Sequence, residues 1–298
     1  MTPGIDTVAS FCAVSEEERI LLEGRVRPIV ILEKTLPSSI SDAVAPHNKN
    51  FGVMLPYTPL HYLLFSSSEI QFTALVMTSG NVFDEPIVTS NNEAVEKLSS
   101  IADYFLFHDR DIFTRVDDSI VRSIKSTGVS TFNSKIKNPK SKMQTFRRAR
   151  CFVPETIDLD ENVGEILACG IESKNTFCFT RGTKAILSQY IGDLENYETL
   201  KFFKETLENL RKVFRATPKI VVHDLHPDYL SSRFALEYAA GMDIPATRVI
   251  SVQHHHAHIV SCMAEHNLNG EVIGVGLRRD GIRNGRKYLG RRVLCDQS

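Results

Sequence analysis

Short apolar runs separated by polar, proline-containing segments dominate the first half of the chain. The β-branched run 28–32 predicts a buried strand, and Ser15 followed by Glu18 predicts the capping box of a helix. Residues 33–50 are polar, contain two prolines and predict a surface loop. Further strands are predicted at 75–78 and 104–107, and inward-facing helices at 60–65 and 91–100.

From residue 165 the pattern changes to paired strands followed by alternating helices and strands. The predicted strands are 165–170, 175–180, 185–190, 219–224 and 249–252, and the predicted helices are 197–214 and 231–240. This order of elements is typical of an α/β layer fold. The polar segment 154–162 predicts a boundary between two α/β domains.

Four histidines within five residues follow the last predicted strand, which we expect to be buried, and precede a helix predicted from Ala257. His254 and His258 are four residues apart, so one helical turn would place both imidazoles on one face. Two neutral imidazoles at that spacing can hold a transition-metal ion, whereas the alternative is a polar helix start with solvated histidines. Because sites in open α/β sheets usually lie at the carboxyl ends of strands, the cluster favours a metal site.

A second group of polar side chains, His223, Asp224 and His226, ends the neighbouring predicted strand. Parallel strands end at the same edge of a sheet, so this group and the histidine cluster are expected to face one crevice. We therefore predict a possible second set of ligands at this edge.

The first half also carries candidate phosphate-binding residues. Ser79 and Asn81 flank Gly80 after a predicted strand, a pattern that fits either a simple turn or a ligand contact. Asp118 and Ser119 precede another strand and could bind phosphate or an ion, or only cap and bridge. The arginines at 147, 148 and 150 indicate either a solvated face or the wall of a phosphate pocket.

Composition narrows the class of protein. The chain has 298 residues, 42% hydrophobic and 24% charged, which predicts about two globular domains. A formal net charge of -1 gives no case for general nucleic-acid binding. No apolar run is long enough for a membrane span, and the N-terminus lacks the plan of a signal peptide. Six scattered cysteines without a CxxC pair predict reduced thiols, mostly packed in cores, in a cytoplasmic protein.

An ordered set of segments resembles HypF, the carbamoyltransferase family of nickel–iron hydrogenase maturation. Each segment alone is a weak signal, but their order and spacing up to residue 277 are highly specific. The matching segments are Val53–His61, Met77–Asn81 with Asp84–Val88, Arg115–Ser119, Lys174–Cys178, Ile191–Glu195, His223–Leu230 and Val252–Ile259.

The resemblance implies a fold and a reaction. Residues 1–155 would be a partial YrdC-like α/β domain that makes carbamoyl adenylate from ATP, with Mg²⁺, and carbamoyl phosphate. Residues 163–277 would be the first part of a TsaD-like α/β domain, of the actin/sugar-kinase superfamily, that passes the carbamoyl group to the C-terminal cysteine of HypE for cyanide-ligand synthesis. His254 and His258 would match the family's metal pair, for zinc or iron. The residues expected to bind nucleotide or carbamoyl phosphate are Ser79, Asn81, Asp118, Ser119 and Arg148.

Both ends depart from the family pattern. The chain is expected to start inside the YrdC-like domain, without its first half and without the acylphosphatase-like and zinc modules before it. After Leu277 an arginine-rich sequence replaces the family's Asp-Gly-Thr-Gly phosphate loop. Plausible codons read one base later encode that loop, so we hypothesise that residues 278–298 are a frameshifted tail, which sequencing the gene would test. Such a tail, which has no apolar periodicity, is expected to be poorly ordered or exposed.

Two alternative functions stay open. A truncated, catalytically inactive fragment could still bind a metal or a partner. Both domain types also occur in proteins that make threonylcarbamoyladenosine in tRNA. The resemblance to YrdC-like proteins further implies binding of double-stranded RNA. The joining of both domains in one chain and the His254–His258 run favour hydrogenase maturation.

Overall fold

The computed structural model describes residues 1–66, 71–124, 143–245, 248–266, 268, 270–275 and 292–295. The chain divides into two compact units, Met1–Glu155 and Thr156–Ser298. Each unit contains helices and a mixed sheet, which agrees with the predicted α/β class.

A mixed sheet forms the centre of unit 1. Its β2 pairs antiparallel with β1 and β3 and parallel with β4, and β4 pairs antiparallel with β5. Val30, Leu32, Phe51 and Val121 face a core that the first two helices cover. The elements are α1 Ile5–Ala9, β1 Cys12–Ala13, α2 Glu16–Glu23, β2 Ile29–Lys34, β3 Asn50–Val53, α3 Pro59–Phe65, α4 Asn91–Leu98, β4 Ile120–Ser123 and β5 Met143–Arg147, with a 3-10 turn at Asp42–Val44.

The predicted capping box at the start of α2 is confirmed. The Ser15 hydroxyl accepts from the Glu18 N–H (3.3 Å), and the Glu18 carboxylate accepts from the Ser15 N–H (2.8 Å). Ser15→Ala should therefore lower the free energy of unfolding by about 1 kcal/mol, measured by urea denaturation. Ser15→Asn is the matched control, because asparagine caps about as well and should leave stability nearly unchanged. Equal losses for both variants would contradict the capping role.

The middle of unit 1 differs from the sequence prediction. Segments 75–78 and 104–107 form no strand, and in the described part of unit 1 no ladder partner lies beside them. Val76 and Tyr104 are 76% and 93% exposed. Helices α3 and α4 form close to where predicted, yet neither buries a residue. Apolar alternation identifies strand-forming residues, but a strand also needs a neighbour, so these predictions were wrong.

Unit 2 contains a sheet of six strands in the order β11-β10-β7-β8-β9-β6. Its β10 is parallel to both β7 and β11, whereas β7, β8 and β9 form antiparallel hairpins. The elements are β6 Ile157–Asp158, β7 Ile166–Ala168, β8 Cys178–Arg181, β9 Lys184–Leu187, α5 Tyr197–Phe214, β10 Ile220–Asp224, α6 Leu230–Gly241, β11 Val249–Val252, α7 His254–His266, β12 Val272–Val275 and β13 Arg292–Cys295.

A chain of edge-on aromatic rings fills the core of unit 2. Phe203 on α5 lies between Phe177 and Phe234, with ring centroids 5.2 and 5.0 Å apart. Edge-to-face packing adds to the burial of these large side chains. The core therefore fixes α5 and α6 against the sheet whose strand ends carry the histidines.

Two expectations for unit 2 need correction. Strand β11 lies at the sheet edge, so it is not buried as predicted, and Ile250 is 45% exposed. The arginine-rich tail was expected to be poorly ordered or exposed, yet its residues 292–295 form β13, which pairs antiparallel with β12. Val293 and Leu294 favour a strand, which explains this difference. The rest of the tail, 278–291 and 296–298, lies outside the described residues.

The expected placement of the cysteines in cores holds only in part. Cys12 and Cys169 are buried, and burial raises the pKa of each thiol to about 12. Cys151 and Cys262 are exposed. None of the described helices combines the length and apolar character that a membrane crossing requires.

Candidate functional site

The parallel pairing of β10 and β11 brings the histidine cluster to Asp224. In register, Asp224 lies opposite Val252, and the Leu225 N–H donates to the Val252 carbonyl (2.9 Å). Helix α7 starts two residues later at His254, three residues earlier than predicted. The side-chain oxygen of Gln253 accepts from the His256 N–H (2.8 Å) and so caps this helix.

His254 and His258 face each other across one helical turn, as their spacing predicted. Their Nε2 atoms are 3.2 Å apart. The Nδ1 atom of His254 lies 2.9 Å from a carboxylate oxygen of Asp224. An ionised carboxylate only accepts, so Nδ1 of His254 carries the proton and its Nε2 lone pair points at His258.

Asp224 is buried and hydrogen-bonded at the carboxyl end of β10. Its side chain is 5% exposed, and its second carboxylate oxygen accepts from the His226 N–H (2.8 Å). Its carbonyl accepts from the Ser232 hydroxyl (3.0 Å), which ties the strand end to the first turn of α6. The two carboxylate contacts hold one oxygen toward His226 and the other toward His254.

The charge state of His258 suits cation binding. Burial, followed by the nearby His254 and His255, lowers the pKa of His258, and Asp224 opposes this only in part. His258 is therefore neutral at neutral pH. A neutral imidazole is the form that binds a metal ion.

The pair fits a metal ion in both chemistry and spacing. Two nitrogens about 2.0–2.1 Å from one zinc ion lie a little over 3 Å apart, close to the observed distance. A carboxylate behind a metal-binding imidazole is the usual outer contact of such sites. Among the described side chains, no group of three or more metal-binding residues converges, so at this edge the pair would supply two ligands.

The other residues predicted at this edge are engaged differently. Nδ1 of His223 lies 2.7 Å from the Asp224 carbonyl oxygen. The ring of His226 stacks on Tyr229, and its Nδ1 accepts from the Asp228 N–H (3.3 Å). Asp224 therefore joins the histidine pair as an outer contact, while these two imidazoles make separate local bonds.

In unit 1, Ser79 and Asn81 lie together on a surface turn. The Ser79 hydroxyl donates to the Asn81 side-chain carbonyl, and the Val88 N–H closes the turn on the Gly80 carbonyl (2.9 Å). Ser79 is exposed. A hydroxyl and an amide are thus held at a turn that a ligand can reach.

Ser119 and Arg148 make internal bonds. The Ser119 hydroxyl is buried, accepts from the Ala149 N–H and donates to the Arg150 carbonyl, both at 2.9 Å. An Arg148 Nη atom donates to the Glu155 carbonyl (2.7 Å). The Ser119 hydroxyl therefore joins β4 to the segment after β5.

Sequence reasoning missed the role of Arg150. Its Nε donates to Asp118 (2.7 Å), and its two Nη atoms donate to the carbonyls of Val26 (3.0 Å) and Arg27 (2.8 Å). Its guanidinium lies 3.5 Å from the ring centroid of Tyr57. Burial and then Asp118 raise the pKa of Tyr57 to about 12, so its hydroxyl stays protonated. The only sequence signal was the arginine-rich run.

Comparison with known proteins agrees with this architecture. Residues 1–131 match the Sua5/YciO/YrdC family, described as telomere recombination, and residues 161–265 match the HypF Kae1-like domain. The chain is 40% identical to carbamoyltransferase HypF2 of Cupriavidus necator over 99% of this chain and 36% of that protein. It is 36% identical to carbamoyltransferase HypF of Rhizobium leguminosarum bv. viciae over 99% of this chain and 37% of that protein.

A solved structure is similar as well. It is the crystal structure of full-length HypF in the phosphate- and nucleotide-bound form. The TM-score is 0.79 with 42% sequence identity, over 99% of this chain and 43% of that chain.

The chain thus joins a YrdC-like region to a Kae1-like region. It is a homologue of the HypF carbamoyltransferases along nearly its whole length, which confirms the resemblance. The chain spans about a third of the length of the curated relatives that it matches.

Proposed function

We propose that this chain contributes to HypF-type carbamoyl transfer, with His254 and His258 as the metal-binding pair of the transfer region. The observation that carries the proposal is the His254–His258 contact with Asp224 behind it, in a homologue of HypF. Residues 1–155 would serve carbamoyl adenylate formation, and residues 163–277 would serve the transfer.

The proposed substrates are ATP with Mg²⁺, carbamoyl phosphate and the C-terminal cysteine of HypE. In the transfer, the thiolate sulfur forms a bond to the carbamoyl carbon while the bond to the adenylate oxygen breaks and AMP leaves with the electron pair. A zinc or iron ion, when bound, polarises a carbonyl oxygen as a Lewis acid. Asp224 holds the proton on Nδ1 of His254, so that the Nε2 lone pair stays available.

In unit 1, Ser79 and Asn81 are the proposed nucleotide contacts, because their hydroxyl and amide lie at an accessible turn. We also propose that Asp118, Ser119 and Arg148 lie near the phosphate groups of the bound nucleotide or carbamoyl phosphate. Of these, Asp118 accepts from Arg150, and Ser119 supports the backbone between β4 and residue 150. A cytoplasmic location is also proposed, because the five described cysteine side chains form no disulfide and the relatives are HypF proteins.

Two assays separate the parts of this proposal. In a full-length HypF relative given this chain's residues, His254→Ala should keep carbamoyl-phosphate-dependent ATP–pyrophosphate exchange and lose carbamoylation of HypE by more than about 100-fold. The separation follows because the pair serves the transfer region alone.

Two outcomes count against the proposal. If His254→Ala abolished exchange and transfer alike, the pair would not be specific to transfer. If the relative carrying this chain's residues modified tRNA and left HypE untouched, the threonylcarbamoyl alternative would replace hydrogenase maturation. A His47→Ala variant, an exposed histidine of unit 1, is the matched control and should support both reactions.

A further inference from the structure

Glu172 is a buried carboxylate that the proposed chemistry does not use. It lies in the turn between β7 and β8 and is 8% exposed. Its carboxylate accepts from the Ser231 N–H (3.4 Å), and the neighbouring Leu230 N–H also favours its charged form. Helix α6 begins there, and its N-cap residue Tyr229 supplies no side-chain cap. Glu172 therefore caps α6 from a distant part of the chain.

The capped turn of α6 also holds the strand end that carries Asp224. The hydroxyl of Ser232, in this turn, donates to the Asp224 carbonyl (3.0 Å). The Asp224 carboxylate then orients His254 (2.9 Å), whose Nε2 faces His258. A continuous series of contacts thus runs from Glu172 through α6 to the histidine pair.

A local cap would be simpler than this arrangement. Serine or asparagine at position 229 could cap α6 without burying a charge. Burial raises the pKa of Glu172, which shows that this environment disfavours its ionised form, although the two backbone N–H groups oppose the effect. The Glu172 carbonyl also accepts from the Leu194 N–H (3.0 Å), which joins the turn to residues 191–194. Glu172 is therefore anchored on the sheet side as well.

We propose that Glu172 is a positioning residue for the histidine pair: by holding the first turn of α6, it fixes Asp224 and thereby the tautomer of His254. This role rests on the proposed function of the pair. Glu172 contacts neither imidazole, so its effect must pass through Ser232 and Asp224.

The test uses the full 298-residue chain with ¹⁵N-labelled histidine. In the Glu172→Ala variant, the ¹⁵N shifts of His254 should move from the Nδ1–H tautomer toward the average of both tautomers. Binding of Co²⁺, followed by its visible absorption, should weaken by on the order of 2- to 30-fold. Glu172→Gln keeps a side-chain oxygen that can accept from the Ser231 N–H and should restore both readouts.

Phe203→Leu is the stability control, because Phe203 lies in the same unit and in the core that holds α6. If Phe203→Leu lowers Tm by as much as Glu172→Ala does, it should still leave the ¹⁵N shifts of His254 unchanged. If Glu172→Ala does not fold, Glu172→Asp, one carbon shorter, takes its place with the same expected shift.

Unchanged His254 shifts in a folded Glu172→Ala or Glu172→Asp chain would overturn the positioning role. So would a shift of equal size in Phe203→Leu. If wild-type chain bound no Co²⁺, the proposed function of the pair would fail, while the ¹⁵N shifts would still decide whether Glu172 positions His254.

Discussion

Alanine at His254 or at His258 is expected to weaken Zn²⁺ or Co²⁺ binding by more than about 100-fold, because each removes one of the two nitrogens that face the ion. Asp224→Asn should cost about 10- to 100-fold, since the amide can present its N–H₂ to Nδ1 of His254 and favour the wrong tautomer. Isothermal titration of the full chain at pH 7.5 or so measures all three affinities.

Lowering the pH should also weaken binding of the metal ion. Metal binding requires neutral imidazoles, and protonation competes with the ion. Because the pKa of His258 lies below its ordinary value, this imidazole stays neutral through neutral pH and loses the ion only at lower pH. His47→Ala controls for the number of histidines and should bind as the wild type does. If His254→Ala and His258→Ala both kept full affinity for the metal ion, these two histidines would not be its ligands.

The sequence predicted correctly that His254 and His258 share one helix face, because this signal is local. A spacing of four residues on a helix places two side chains on one face whatever the rest of the fold does. Helix α5, Tyr197–Phe214, matched its predicted span for the same reason, since its apolar repeat is long and regular. Periodicity and helix spacing therefore carried the parts of the fold that lie around the site.

Contacts between distant segments were harder to predict. Asp224 stood in the sequence as one of three polar residues at a strand end, and only the register of β10 against β11 shows that its carboxylate orients His254. Glu172 is 59 residues from Ser231, and nothing in its local sequence indicates a helix cap. Periodicity reports which face a residue lies on, whereas a hydrogen bond depends on which element lies opposite.

Two predicted strands did not form, because no strand among the described residues of unit 1 pairs with them. Segment 75–78 has strand-forming residues, but its contact with residue 1 amounts to one pair of backbone bonds, from the Met1 amino group and from the Leu75 N–H. A strand depends on pairing along its length, so propensity alone overestimated this region. Strand β11 formed as predicted because it pairs with β10. It remained exposed because it lies at the edge of the sheet.

Arg150→Ala is expected to lower the free energy of unfolding of unit 1 by about 3–5 kcal/mol, the usual cost of removing one partner of a largely buried ion pair. Only 18% of the Arg150 side chain and 25% of the Asp118 side chain are exposed. The substitution would leave Asp118 without its cation and two backbone carbonyls, of Val26 and Arg27, without their donor. Urea denaturation followed by far-ultraviolet circular dichroism measures the change.

Two further variants show whether geometry or charge matters at this position. Arg150→Lys keeps the charge but cannot reach Asp118 and both carbonyls with one ammonium group, nor stack flat on Tyr57, so it should recover only part of the lost stability. Arg19→Ala removes an exposed arginine that pairs with Glu23 within α2, and should change stability little. If Arg150→Ala were no more destabilising than Arg19→Ala, the segment after β5 would not depend on this guanidinium. The expected difference follows from position: Arg150 joins segments more than 120 residues apart, whereas Arg19 bonds one turn away on its own helix.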